Sequence, residues 1–156
     1  MKKPNEAEYA YLNGVKQHLT VDNLKPIITN NLLNYGFLVP VTFVCAEDKS
    51  YVIESIELTS NKIEDVNAFI DDLSQFCMDN KAFKIIFAME TSRKDKNSIK
   101  NAIQITEICK DTAEMYIQQF TRENSKITYI SKDYEYYKEA ELTNIKPIQK
   151  ALTTLQ

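Results

Sequence analysis

One boundary constrains this chain more than any other feature. Leu24, Ile28, Leu32 and Tyr35 recur at helical spacing, Gly36 follows, and Phe37-Leu38-Val39-Pro40-Val41-Thr42-Phe43-Val44-Cys45 begins at once. The chain holds only two glycines, so a glycine placed here carries information. It relieves the left-handed conformation that commonly ends a helix. The run after it is short, β-branched and aromatic, which reads as a strand buried on both faces. Pro40 cannot donate to a ladder and predicts an edge or a bulge within that strand. A helix packed on a sheet is the minimum fold these residues allow.

The remaining elements follow from periodicity. Ala7, Tyr11, Val15 and Leu19 step by four and predict a helix over residues 5–19, weakened by Gly14. Asp22 or Asn23 is the expected cap of the second helix, with Pro26 in its first turn. Strands are predicted over 37–45 and 51–58, joined as a hairpin by residues 46–50. Ile63, Val66, Ile70, Leu73 and Cys77 form a clean stripe behind Asn61 and Glu64, so a helix is expected over 62–79. Further strands are predicted over 82–90, 99–108, 113–122 and 127–131, with 91–98 as a polar loop. Ala113, Met115 and Ile117 alternate with Glu114, Tyr116 and Gln118, which predicts one buried and one solvated face. Residues 132–146 read equally as strand or helix start, and a short helix is expected from about Pro147.

This order predicts an α+β fold: a mostly antiparallel sheet of five to six strands with helices packed on one face. One domain is expected over 1–156, with N-terminal helices in 5–35, the sheet and central helix in 37–131, and a tail in 132–156. A helix running into a Gly-x-x-x-Pro strand (Gly36 to Pro40), then a hairpin and helix, then a glutamate-ended strand (Ile85-Ile86-Phe87-Ala88-Met89-Glu90) and a meander make a pattern. In this pattern the chain resembles a loose group of small bacterial proteins that have no established activity. The resemblance covers about residues 24–131. It implies the fold and transfers no site. A composition poor in glycine and rich in isoleucine, lysine and asparagine matches an AT-rich bacterial or phage genome.

Several chemistries are excluded by what the chain lacks. With Gly14 and Gly36 alone there is no phosphate-cradling loop and no dinucleotide fingerprint. His18 is the one histidine and is expected at a solvated helix end; no serine has a nucleophile-elbow surround. Cys45, Cys77 and Cys109 form no Cys-x-x-Cys pair and read as buried, reduced thiols, from which a cytoplasmic location is expected. Metal ligation by histidine and cysteine is not expected. Two lysines near Met1 lack an apolar core behind them, so no secretory leader is expected, and no apolar run is long enough to span a bilayer.

Two functional readings remain. The first is a non-catalytic protein-interaction, regulatory or inhibitor module, with no cofactor. Its expected partner is another protein, since a net charge of −3 argues against a dedicated nucleic-acid binder. Its expected contact surfaces are a basic loop with Arg93, Lys94, Lys96 and Lys100, and a segment rich in acids and tyrosines with Tyr134, Tyr136 and Tyr137. Tyrosine supplies contact area at small entropic cost. The alternative is a magnesium-dependent hydrolase or nuclease acting on phosphoesters. There Glu90 would be catalytic as a metal ligand, and Lys94 would meet the transition-state charge. Glu54, Glu57, Glu107 and Asp111 are its further carboxylates, although Glu54 and Glu57 fall on opposite faces of a strand. The oligomeric state is left open by both readings.

Overall fold

The computed structural model describes residues 1–6, 11–12, 15–16, 19–47, 49–95, 98–140 and 145–154. The first predicted helix is replaced, in its described part, by strands. β1 (Asn5–Glu6) lies antiparallel to a later strand, and β2 (Tyr11–Leu12) pairs with β3 (Val15–Lys16) as a separate ribbon. Asn13-Gly14 separates those two strands in sequence. That dipeptide is a strong signal for a two-residue connection between paired strands, and reading Gly14 only as a flaw in a helix missed it. Ala7, Gly14 and His18 lie outside the described residues.

α1 (Val21–Tyr35) is capped by Thr20, whose Oγ1 accepts from the Asn23 N–H at 3.1 Å. The cap is therefore earlier than Asp22, and Pro26 falls in the second turn rather than the first. Gly36 ends the helix at φ +78°, and its N–H returns to the Leu32 carbonyl at 2.8 Å. Residues 37–40 form a linker instead of strand, so Pro40 never enters the ladder. β4 (Val41–Cys45) and β5 (Ser50–Glu54) form the expected hairpin, and a 3₁₀ turn (Ile56–Thr59) leads to α2 (Ile63–Asp79). β6 (Lys84–Asp95), β7 (Ser98–Cys109), β8 (Ala113–Glu123) and β9 (Lys126–Ile130) follow as a meander. β10 (Glu135–Tyr137) resolves the ambiguous tail as a strand, and α3 (Ile145–Ala151) closes the described chain.

The sheet is antiparallel throughout and has eight strands, in the order β1-β5-β4-β6-β7-β8-β10. β9 shares the outer edge of β8 with β10. It is larger than expected because residues 5–6 and 135–137 both joined it. Helices cover both faces rather than one. Phe43, Cys45, Ile86, Ala88, Ile103 and Ile105 pack in one core with Leu24, Ile28 and Leu32 of α1. Val44, Ile53, Ile85, Phe87 and Ile108 pack in a second core with Phe69, Ile70 and Leu73 of α2 and Ile148 of α3. Alternate residues of β4 and β6 go to opposite cores, as period-2 geometry requires. An apolar run without polar alternation needs cover on both sides, and α1 supplies the second layer.

β6 is also longer than expected. It pairs with β4 only at Lys84–Ala88, and β7 pairs with β8 only at Asn101–Ile108. Beyond those points the two strands continue together from Met89 to Asp95 and from Ser98 to Lys100. The predicted polar loop is thus the outer part of a two-stranded arm.

Candidate functional site

The carboxylates do not converge. Glu90 lies on β6, where its Oε1 accepts from Arg122 Nη2 at 2.6 Å and from the Leu38 N–H at 2.8 Å. Arg122 Nε also donates to the Gly36 carbonyl at 2.8 Å. The pair clamps the α1–β4 linker onto the sheet, with both side chains about one-quarter exposed. A carboxylate holding an arginine and a main-chain amide is occupied as a structural acceptor. Lys94 stands four residues along β6, opposite Ile99. Glu54 pairs with Lys2 at 2.6 Å on the surface. Glu57 has one buried carboxylate oxygen without a hydrogen bond. Among the described residues, no group of three or more His, Cys, Asp or Glu side chains could hold a metal ion.

A cluster of ionisable side chains lies on the α1 face. Glu107 and Glu114 are opposed across β7 and β8, and Lys84 Nζ stands 3.8 Å from Glu107. Burial pushes the Glu107 carboxyl up; Glu114 and Asp22 add to this, and Lys84 opposes it. The Tyr116 hydroxyl donates to Glu114 at 3.3 Å and is pushed up to about 12, chiefly by burial and then by the Glu114 and Glu107 charges. Lys25 places its amine 4.8 Å from the Tyr116 ring centre and 5.2 Å from that of Tyr134, while holding Asp22 at 3.1 Å. These contacts seat the first turns of α1 on β8. Burial also pushes the Cys45, Cys77 and Cys109 thiols up, which suppresses thiolate chemistry.

Of the residues expected at a partner surface, only Lys100 and Tyr137 come to one groove. Arg93, Lys94 and Lys100 lie on the arm, with Arg93 opposite Lys100 in register. Lys96 lies outside the described residues. Tyr134 is half-buried under α1, its hydroxyl 3.2 Å from Thr29 Oγ1, so it serves the core. Tyr136 and Tyr137 stay exposed on β10 and point to opposite faces of the sheet, with the Tyr136 ring 5.2 Å from that of Tyr116. Tyr137 faces the side that α2 and α3 cover farther along, and its hydroxyl donates to Glu135 at 2.8 Å.

On that side neither helix reaches the end of the sheet. An open groove of about 340 Å³ remains, floored by Ala102, Gln104, Met115 and Ile117. Thr91, Ser92 and Lys100 of the arm form one wall; Glu135 and Tyr137 of β10 form the other. Of the stripe expected to be buried, Met115 is buried and Ile117 only partly so, and the groove they floor was not foreseen as a surface. The available signal was the break in that stripe at Gln119, the next residue on the same face, which is exposed. Gln118, expected to be solvated, is instead buried; it accepts from Thr29 at 3.0 Å and donates to the Ser131 carbonyl at 2.7 Å.

A larger hollow of about 830 Å³ lies between the β7–β8 turn and α3, with Asp111, Glu139, Lys138 and Lys146 on its walls. Residues 141–144, which lie between Ala140 and Ile145 of its lining in sequence, are outside the described residues. No helix among the described residues is long and apolar enough to cross a membrane. No family model, curated protein or solved structure matches this chain.

Proposed function

We propose that this protein is a non-catalytic interaction module, regulatory or inhibitory in role, that engages another protein through the open sheet face between the arm and β10. The observation carrying this reading is the shared groove. Two segments distant in sequence, one basic and one rich in tyrosine, border a single trough with a partly apolar floor. Apolar floor, aromatic wall and charged rim are the anatomy of a protein contact surface. The magnesium-dependent hydrolase reading gains nothing comparable, since Glu90 is committed to Arg122 and to the linker.

The test is capture by the full chain from extracts of its native host, repeated with Tyr137→Ala, Lys100→Glu and the distal control Asp71→Lys. Anchor truncations at an interface cost about 2 kcal/mol or more. The expected result is one protein retained by the wild type and the control and lost by both groove variants. Retention undiminished in both groove variants would reject the groove. A magnesium-dependent phosphodiesterase activity abolished by Glu90→Gln would instead favour the hydrolase.

A further inference from the structure

The arm has a second property besides its charge. On the side facing β4, the ladder of β6 stops at Ala88, and the Leu38 N–H meets the Glu90 side chain just beyond. From Thr91 to Asp95, β6 is hydrogen-bonded to β7 alone among the described residues. Among the described residues, these five residues of extended backbone therefore keep one edge unpaired, in line with β4 and continuous with the sheet that floors the groove. An open edge is a template for another strand. The surrounding sequence states what kind of strand is acceptable. In residues 91–100 four cations, Arg93, Lys94, Lys96 and Lys100, stand against one carboxylate, Asp95.

We infer that the outer edge of the arm takes an extended acidic peptide of a partner protein as an added strand beside Thr91–Asp95. Like charges directly opposite one another in a ladder are unfavourable, and opposite charges are favourable. The arm of a second copy is disfavoured by this rule, because it would bring Arg93 and Lys94 to an edge carrying the same two cations. A nucleic acid would meet the arm's charge, but it has no peptide N–H and C=O groups to pair with an open strand edge. This inference rests on the interaction-module reading and names the chemistry of the partner.

The test uses the full chain and a fluorescein-labelled octapeptide of alternating Glu and Val, read by anisotropy. Three comparison probes are the Lys-Val octapeptide, the Glu-Val octapeptide N-methylated at alternate residues, and a labelled single-stranded oligothymidine. The acidic peptide is expected to bind at least tenfold more tightly than any of the three. Arg93→Glu combined with Lys94→Glu is expected to weaken it at least tenfold, with a thermal melt confirming an intact fold. Amide hydrogen exchange is expected to slow at 91–95 on binding and not in β4. Equal affinity for the N-methylated peptide, or no protection at 91–95, overturns strand addition whatever the variants do. Tighter binding of the Lys peptide or the oligonucleotide overturns the acidic partner. If these tests fail while capture still depends on Tyr137, only this inference falls; if that dependence is also absent, the interaction-module reading falls with it.

Discussion

Gly36 illustrates how much a single residue can be required to do. Its φ of +78° is the left-handed region, and a β-carbon there would meet the carbonyl oxygen of Ser125 inside contact distance. Gly36→Ala is therefore expected to destabilise the fold by at least about 2 kcal/mol, from backbone strain and from displacement of the β8–β9 turn. A denaturant titration measures it; a loss below about 0.5 kcal/mol would mean the turn yields freely. Glu107 gives a pH prediction. Its folded-state pKa is raised, so the stability it contributes is present below the ordinary value of 4.5 and is lost as pH rises through the higher folded value. Glu107→Gln should flatten that fall, narrowing the gap to wild type or overtaking it as pH rises from 4 to 7. A difference between the two proteins that stays constant over this range would refute the assignment. The cysteines obey a register argument. Cys45 and Cys109 both oppose Lys84, on either side of it. They are thus about two strand spacings apart, roughly 9.5 Å, which is too far for a disulfide. Cys77 belongs to the other core. No intramolecular disulfide is expected, and non-reducing mass spectrometry checks this.

At the scale of elements, α2 was the most legible. Its stripe buries Phe69, Ile70, Leu73 and Cys77 against the sheet. Leu73→Ala should cost about 2–5 kcal/mol through the cavity it leaves. A cost under 1 kcal/mol in a denaturant melt would contradict the packing. Even here the stripe overreached: Ile63 is 58% exposed, because the helix begins beyond the edge of the core. The start of α2 is held by Ser60, which accepts from the Lys62 N–H and donates to Asp65, rather than by Asn61 with Glu64. The arm was illegible because Glu90-Thr91-Ser92-Arg93-Lys94-Asp95 has no apolar alternation. Its strand geometry comes from pairing with β7, and a sequence pattern records burial more readily than pairing. β10 was ambiguous for the same reason, since its three residues are exposed and owe their conformation to β8.

For the molecule as a whole, the α+β class was legible and the layering was not. The apolar run of β4 implied two buried faces, but only long-range placement shows that α1 takes one and α2 with α3 the other. The candidate site was half legible. Composition marked its two walls, whereas its floor depends on where the helices stop, which no local pattern records.

The clamp between Glu90 and Arg122 bears on the order of assembly. It joins the linker at Gly36 and Leu38 to positions 52 and 86 residues away, and its two charged members are 32 residues apart. Such a contact must wait until the meander has brought β8 beside β7 and β6, since closing long loops before neighbouring strands have paired is entropically unfavourable. It should therefore be absent from the folding transition state. Arg122→Ala should leave the refolding limb of a chevron plot almost unmoved. Unfolding should accelerate on the order of tenfold, the equivalent of about 1.4 kcal/mol. Slowed refolding would place the clamp in the nucleus instead. Glu90, which the sequence offers as a catalytic metal ligand beside Lys94, would then act with Arg122 as a latch on the finished fold, governing how long the protein stays folded more than how fast it gets there.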